Sequence, residues 1–157
     1  PRADAGKRAG LNCRLLECDL ERNAFRQFVY TLDHGAHGLN EILALNDSEF
    51  LVIERDGQSG AAAKRKAIYR IDLRGARDVA DLPLPQSALP ADQAVKKTLL
   101  IDLLDPRYGL AGERFPSKVE GLALGPDLPD GRRLLIICTD NDFEADQPSW
   151  FYFFAIP

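Results

Sequence analysis

Two glutamates, Glu41 and Glu120, each stand at the head of a short apolar run, and each run is followed across a turn by a second that closes on acidic residues. The closing residues are Glu54, Arg55 and Asp56 in the first case and Asp140, Asn141 and Asp142 in the second. Carboxylates repeated in this way suit a hard cation. Calcium takes roughly six to eight oxygen ligands, and Glu41, Glu54, Asp56, Glu120, Asp140 and Asp142 form the candidate metal set. Such a cation would neutralise an anionic substrate and lower the pKa of a bound water. The chemistry expected is calcium-assisted hydrolysis, with Glu41, Glu120 and Asp140 as catalytic residues. Arg55 would grip an oxyanion through its planar fork and Asn141 would add a hydrogen bond, which makes these two the candidate substrate-binding residues. The same residues have a plainer use. A glutamate at a strand entrance pairs with a nearby Arg or Lys, and Asp or Asn past a strand end makes an Asx turn.

Other reactive types are sparse. His34 and His37, the only histidines, lie in the glycine-flanked stretch from Asp33 to Gly38; zinc normally needs at least a third protein ligand, so the stretch reads as a turn. Ser59 sits in Gly57 to Ala61, where Ala61 stands in place of the last glycine of a Gly-x-Ser-x-Gly elbow, and no strand-to-helix turn is evident around it. Cys13, Cys18 and Cys138 have no metal-finger spacing. The odd separation of the first two points them to opposite faces of a strand, and all three read as small buried hydrophobes. No phosphate-binding glycine loop occurs.

The elements that must carry these residues read as strands. Period-2 alternation and short apolar runs between turn residues give candidates at Cys13 to Leu20, Phe25 to Leu32, Glu41 to Leu45, Phe50 to Arg55, Ala67 to Leu73, Lys97 to Leu103, Val119 to Leu124, Arg133 to Thr139 and Trp150 to Ile156. No long amphipathic helix competes with them. Ala76 to Ala94 carries three prolines, which cannot donate to a ladder, and reads as a surface connection. Leu104 to Lys118 reads as a second loop. Aromatic Trp150 to Phe154 fits a strand covered on both faces. Placing Glu41 on Glu120 sets Leu43 on Leu122, Ala44 on Ala123 and Leu45 on Leu124; five extra residues later Asp56 falls on Asp140. A repeated hairpin with intervening strands is the signature of blades that bury their faces against one another. The expectation is an all-β protein of β-propeller-like blades of four antiparallel strands. About two blades plus flanking strands make an incomplete propeller, so residues 1–157 read as a single segment, the C-terminal portion of a longer domain, with residues 1–10 a flexible N-terminal segment. Its unpaired edges would be met by the remaining propeller blades or another chain.

The blocks "EILALNDSEFLVIERDG", "AIYRIDL", "VKKTLLIDLLD", "KVEGLALGPDLPDGRRLLIICTDNDF" and "SWFYFFAI" together resemble the phytase-like family, in the order and with the spacings of that family, from about Leu15 onward. The resemblance implies a β-propeller, a secreted or periplasmic setting, and action on a small-molecule phosphate ester or related ester. One fold hosts many activities. A non-catalytic propeller scaffold, binding a ligand or protein through its loop face, is the alternative, and it would keep the strands while dispensing with metal ligands.

Composition narrows the partners. A formal charge of -4 and a pI near 5.2 give no general attraction to phosphate backbones, so nucleic acid is not expected. No apolar run is long enough for a membrane span.

Overall fold

The computed structural model describes residues 10–116 and 118–157; the expected flexible segment 1–10 therefore lies, except for Gly10, outside the described residues. The described residues are all-β, with nine strands: β1 (Asn12–Asp19), β2 (Ala24–Thr31), β3 (Gly38–Ala44), β4 (Glu49–Arg55), β5 (Lys66–Asp72), β6 (Lys96–Asp102), β7 (Lys118–Asp127), β8 (Arg133–Asp140) and β9 (Phe151–Ile156). They form three antiparallel sheets, β1-β2, β3-β4-β5-β6 and β7-β8-β9, consistent with an incomplete propeller. Among the described residues no helix is long and apolar enough to cross a membrane.

The middle sheet is covered on both faces, which explains the unbroken apolar run of β4. Leu51 and Ile53 point toward the third sheet and join Leu135 and Ile137 in one core. Val52 points the other way and joins Phe28, Tyr30 and Tyr69 in a second. Each such side chain, fully buried, contributes about 1.5–3 kcal/mol. β1 has only one covered face, and its alternation is the half-buried kind, with Arg14, Leu16 and Cys18 exposed. Cys18 is thus not a buried hydrophobe.

The proline-rich connection between β5 and β6 runs along β2. Val79 and Val95 donate their N–H groups to Gln27 and Val29, and Asn12 Nδ2 donates to the carbonyls of Pro85 and Ser87. The loop thereby occupies an edge that would otherwise invite another strand.

The two hairpins do correspond, but one residue away from the register Glu41 on Glu120. Leu39 faces Glu54 across its ladder as Val119 faces Thr139, and Ile42 faces Val52 as Leu122 faces Ile137. A register shift follows Leu39 in one hairpin and Val119 in the other. Glu120 is therefore the counterpart of Asn40, and Asp140 that of Arg55. Side-chain direction agrees: Val52 faces the sheet before its own, and so does Ile137. A slip of one residue exchanges the two faces of a strand, and that is where matching by residue type went wrong. The aromatic run departs from expectation as well, since Tyr152 and Phe154 pack against the core while Phe151 and Phe153 lie open.

Candidate functional site

β4 ends with two charged residues on opposite faces. Glu54 turns toward the first sheet and Arg55 toward the third, so each seam between sheets receives one charge.

Glu54 is fully buried. Its Oε2 accepts from the Tyr30 hydroxyl at 2.7 Å and from Lys97 Nζ at 3.0 Å. Its Oε1 accepts from the backbone N–H of Asp33 at 2.8 Å and meets His37 Nδ1 at 2.8 Å. β2 delivers Tyr30, the turn before β3 delivers Asp33 and His37, and β6 delivers Lys97. That turn closes when His37 N–H donates to the His34 carbonyl and Ala36 N–H to His34 Nδ1. Lys97 Nζ lies 4.7 Å and 4.5 Å from the ring centres of Tyr30 and Tyr69 and 2.6 Å from Asp33 Oδ1. The Tyr69 hydroxyl donates to Asp33 Oδ2. Burial, reinforced by Glu54, pushes the Tyr30 hydroxyl far above its ordinary range. Burial pushes Tyr69 up too, aided by Asp33. For Asp33, burial acts upward, but the hydrogen bonds from Lys97 and Tyr69 prevail and hold the carboxyl below its usual value.

Arg55 has every branch engaged. Its Nε donates to the Val119 carbonyl at 3.1 Å, Nη1 to the Asp56 carbonyl at 3.0 Å and Nη2 to Glu120 Oε1 at 2.5 Å. Asn40 Nδ2 reaches the same Glu120 oxygen at 3.4 Å. Asp56 accepts from the backbone of Gln58, Lys64 and Arg65 and pairs with the fully buried Lys66 at 3.0 Å. Burial raises the Asp56 carboxyl, but the backbone donors and Lys66 outweigh it and leave it lowered. Burial lowers Lys66, and Asp56 offsets only part of that.

The expected site residues thus divide into four groups. Arg55 and Glu120 meet at the seam between the second and third sheets, where Asp56 gives only its carbonyl while its carboxylate turns to Lys66 and the backbone before it. Glu54 belongs to the other seam. Asp140, Asn141 and Asp142 form a turn, in which Asp140 Oδ1 accepts from Asp142 N–H and Asn141 Oδ1 from Phe143 N–H, with Lys118 on Asp142 Oδ1 at 2.7 Å. Glu41 Oε1 accepts from the neighbouring Ile42 N–H, and the residue lines a cavity. Among the described residues no three His, Cys, Asp or Glu side chains are grouped to hold a metal ion. Glu54 and Asp56 have their oxygens occupied by protein donors, and Glu120 is committed to Arg55, so the six carboxylates do not fit a shared calcium ion.

The cavity measures about 420 Å³ and lies between β1 and β3. Leu15, Leu32, His37, Asn40, Glu41 and Ile42 contribute to its wall. A carboxylate can only accept, so the Glu54 contact places a proton on His37 Nδ1, and in the neutral ring Nε2 then carries the lone pair. Carboxylate-oriented imidazole at the wall of a partly apolar cavity can take a proton from water. In the sequence, His37 and Asp33 read only as parts of a turn, and Lys97 and Tyr30 only as strand residues. Glu54 lies 17 positions from His37 and 43 from Lys97, separations that no short motif spans. The usable signal was an Asp-His turn placed directly before a strand.

A family model described as phytase-like, esterase-like activity of phytase, matches residues 1–143. No curated protein and no solved structure matches the chain.

Proposed function

The chain belongs to the phytase-like family, and from that premise we propose that it hydrolyses an ester in the cavity between β1 and β3. The observation that carries the reading is the His37–Glu54 contact at 2.8 Å beside that cavity. Water held by His37 Nε2 gives its proton to the ring as its oxygen attacks the ester carbon or phosphorus. The bond to the leaving oxygen then breaks, and the imidazolium returns the proton to that oxygen. Glu54 keeps the ring oriented and stabilises its charged form, a positioning role. Asn40 offers an amide N–H to the developing oxyanion.

Apolar Leu15, Leu32, Leu39 and Ile42 in the wall favour a carboxylic ester with an apolar acyl group. Arg14, also in the wall, spends its guanidinium on Gln27 and on the Val79 and Leu82 carbonyls, which weakens the case for a phosphate ester. A secreted or periplasmic setting remains part of the proposal through the family. The test is turnover of p-nitrophenyl butyrate against p-nitrophenyl phosphate, with and without calcium. Butyrate hydrolysis independent of calcium supports the reading; calcium-dependent phosphate hydrolysis replaces it with metal-assisted chemistry. A binding module is the second reading, favoured by the saturation of Glu54 with four donors that tie the first sheet to the second. Tight ligand binding without turnover of either ester would select it.

A further inference from the structure

The loop between β8 and β9 changes character along its length. Asp140, Asn141 and Asp142 close on their own backbone and on Lys118. Further on, the side chains of Asp146 and Gln147 make no hydrogen bond or ion pair with a described residue. The same holds for the side chains of Glu113 and Arg114, in the loop between β6 and β7. These four residues surround one cleft of about 430 Å³, whose apolar wall is the 40% exposed Trp150 with Pro116 and Pro148. The cleft shares no lining residue with the cavity between β1 and β3, so binding here stands or falls without ester turnover.

The wall is fixed before a ligand arrives. Gly60 N–H donates to the Phe115 carbonyl at 2.8 Å, which ties the loop after β4 to the loop before β7. A Cβ at Gly60 would lie 2.8 Å from the Glu113 carbonyl oxygen, so the two loops close only on a glycine. Buried Phe115 stacks on Tyr152, with ring centres 6.3 Å apart and planes 3° from parallel. Trp150 N–H donates to Thr139 Oγ1 at 2.9 Å, and its carbonyl accepts from Thr139 N–H at 3.0 Å. The backbone that carries the indole is thus held at both ends, which lowers the ordering cost of binding.

We propose that this cleft binds a neutral saccharide, with a pyranose ring laid on the Trp150 indole. A pyranose with equatorial hydroxyls has an apolar C–H face suited to an aromatic ring, and a rim of hydroxyls that both donate and accept. Glu113 and Asp146 accept from that rim, Arg114 donates to it, and Gln147 does both. The rival ligands fit less well. Two carboxylates against one guanidinium disfavour a phosphate, while Arg114 beside a single ring opposes a quaternary ammonium.

Trp150, the only tryptophan, reports on the cleft it lines. The full chain is titrated with cellobiose, and in parallel with inorganic phosphate and with choline, following Trp150 emission. The expected result is a saturable shift with cellobiose alone, and about tenfold weaker binding after Asp146→Ala, which removes a charged hydrogen-bond acceptor. Far-UV circular dichroism checks the variant's fold, with Glu113→Ala as the second variant if the first does not fold. No shift with cellobiose overturns the proposal, as does a cellobiose shift that the folded variant leaves unweakened. Saturation by phosphate or choline at lower concentration than by cellobiose overturns it too, and makes the cleft an ion-binding site.

Discussion

Glu54 and Arg55 are neighbours on one strand, yet the seams they enter differ in kind. At the seam of the first and second sheets a buried carboxylate gathers a histidine, a lysine, a tyrosine and a backbone amide, and the histidine borders a cavity. At the seam of the second and third sheets a guanidinium is spent on two carbonyls and one carboxylate, with no titratable ring beside it. Strand alternation alone decides which charge goes to which seam. The lesson is that clustering of charge does not locate chemistry. A site needs a proton-exchanging group beside open space, and of these two clusters the first has a histidine in a cavity wall.

The largest effect expected from breaking this contrast is on the first seam. Glu54→Ala strands the Tyr30 hydroxyl and the Asp33 N–H without their acceptor, leaves Lys97 with Asp33 alone, and should destabilise the fold by about 3–5 kcal/mol, read by urea denaturation. Arg55→Met should cost less, about 1–3 kcal/mol, because Glu120 at the same seam is partly exposed and can be hydrated. Equal losses would erase the distinction between the seams.

Acid sharpens the comparison. Asp33 and Asp56 have folded-state values lowered from 3.8, so the stability they contribute is fully present above that value and is lost as pH falls through the folded values. Asp33→Asn should flatten the fall in stability below pH 3.8, measured by thermal melts at successive pH. The smallest effect is expected from calcium. With the six carboxylates dispersed, adding calcium or EDTA should leave the melting temperature unchanged. A calcium-dependent rise would restore the metal reading for Glu41, Asp140 and Asp142.

Much of the fold could be read from the sequence because alternation and turn residues are local signals. All nine strand candidates correspond to β1–β9, and the proline-rich stretch is a surface connection as expected. The register of the repeat was out of reach, since Glu41 matches Glu120 in type while the ladder matches Asn40 to it. Ladder pairing depends on the bulge after Leu39 and Val119, which residue type does not encode. The expected site was legible only as a set of charged strand ends. Which ends converge is fixed by packing between sheets, and the His37–Glu54 contact joins residues delivered by different elements.

The account depends most on His37 acting as the base beside the cavity. The direct measurement is kcat/KM for p-nitrophenyl butyrate in the intact chain and in His37→Gln, each with its melting curve. The predicted result is a fall of roughly 10²–10⁴-fold with the cooperative melt retained. Unchanged turnover in a folded His37→Gln protein would contradict it.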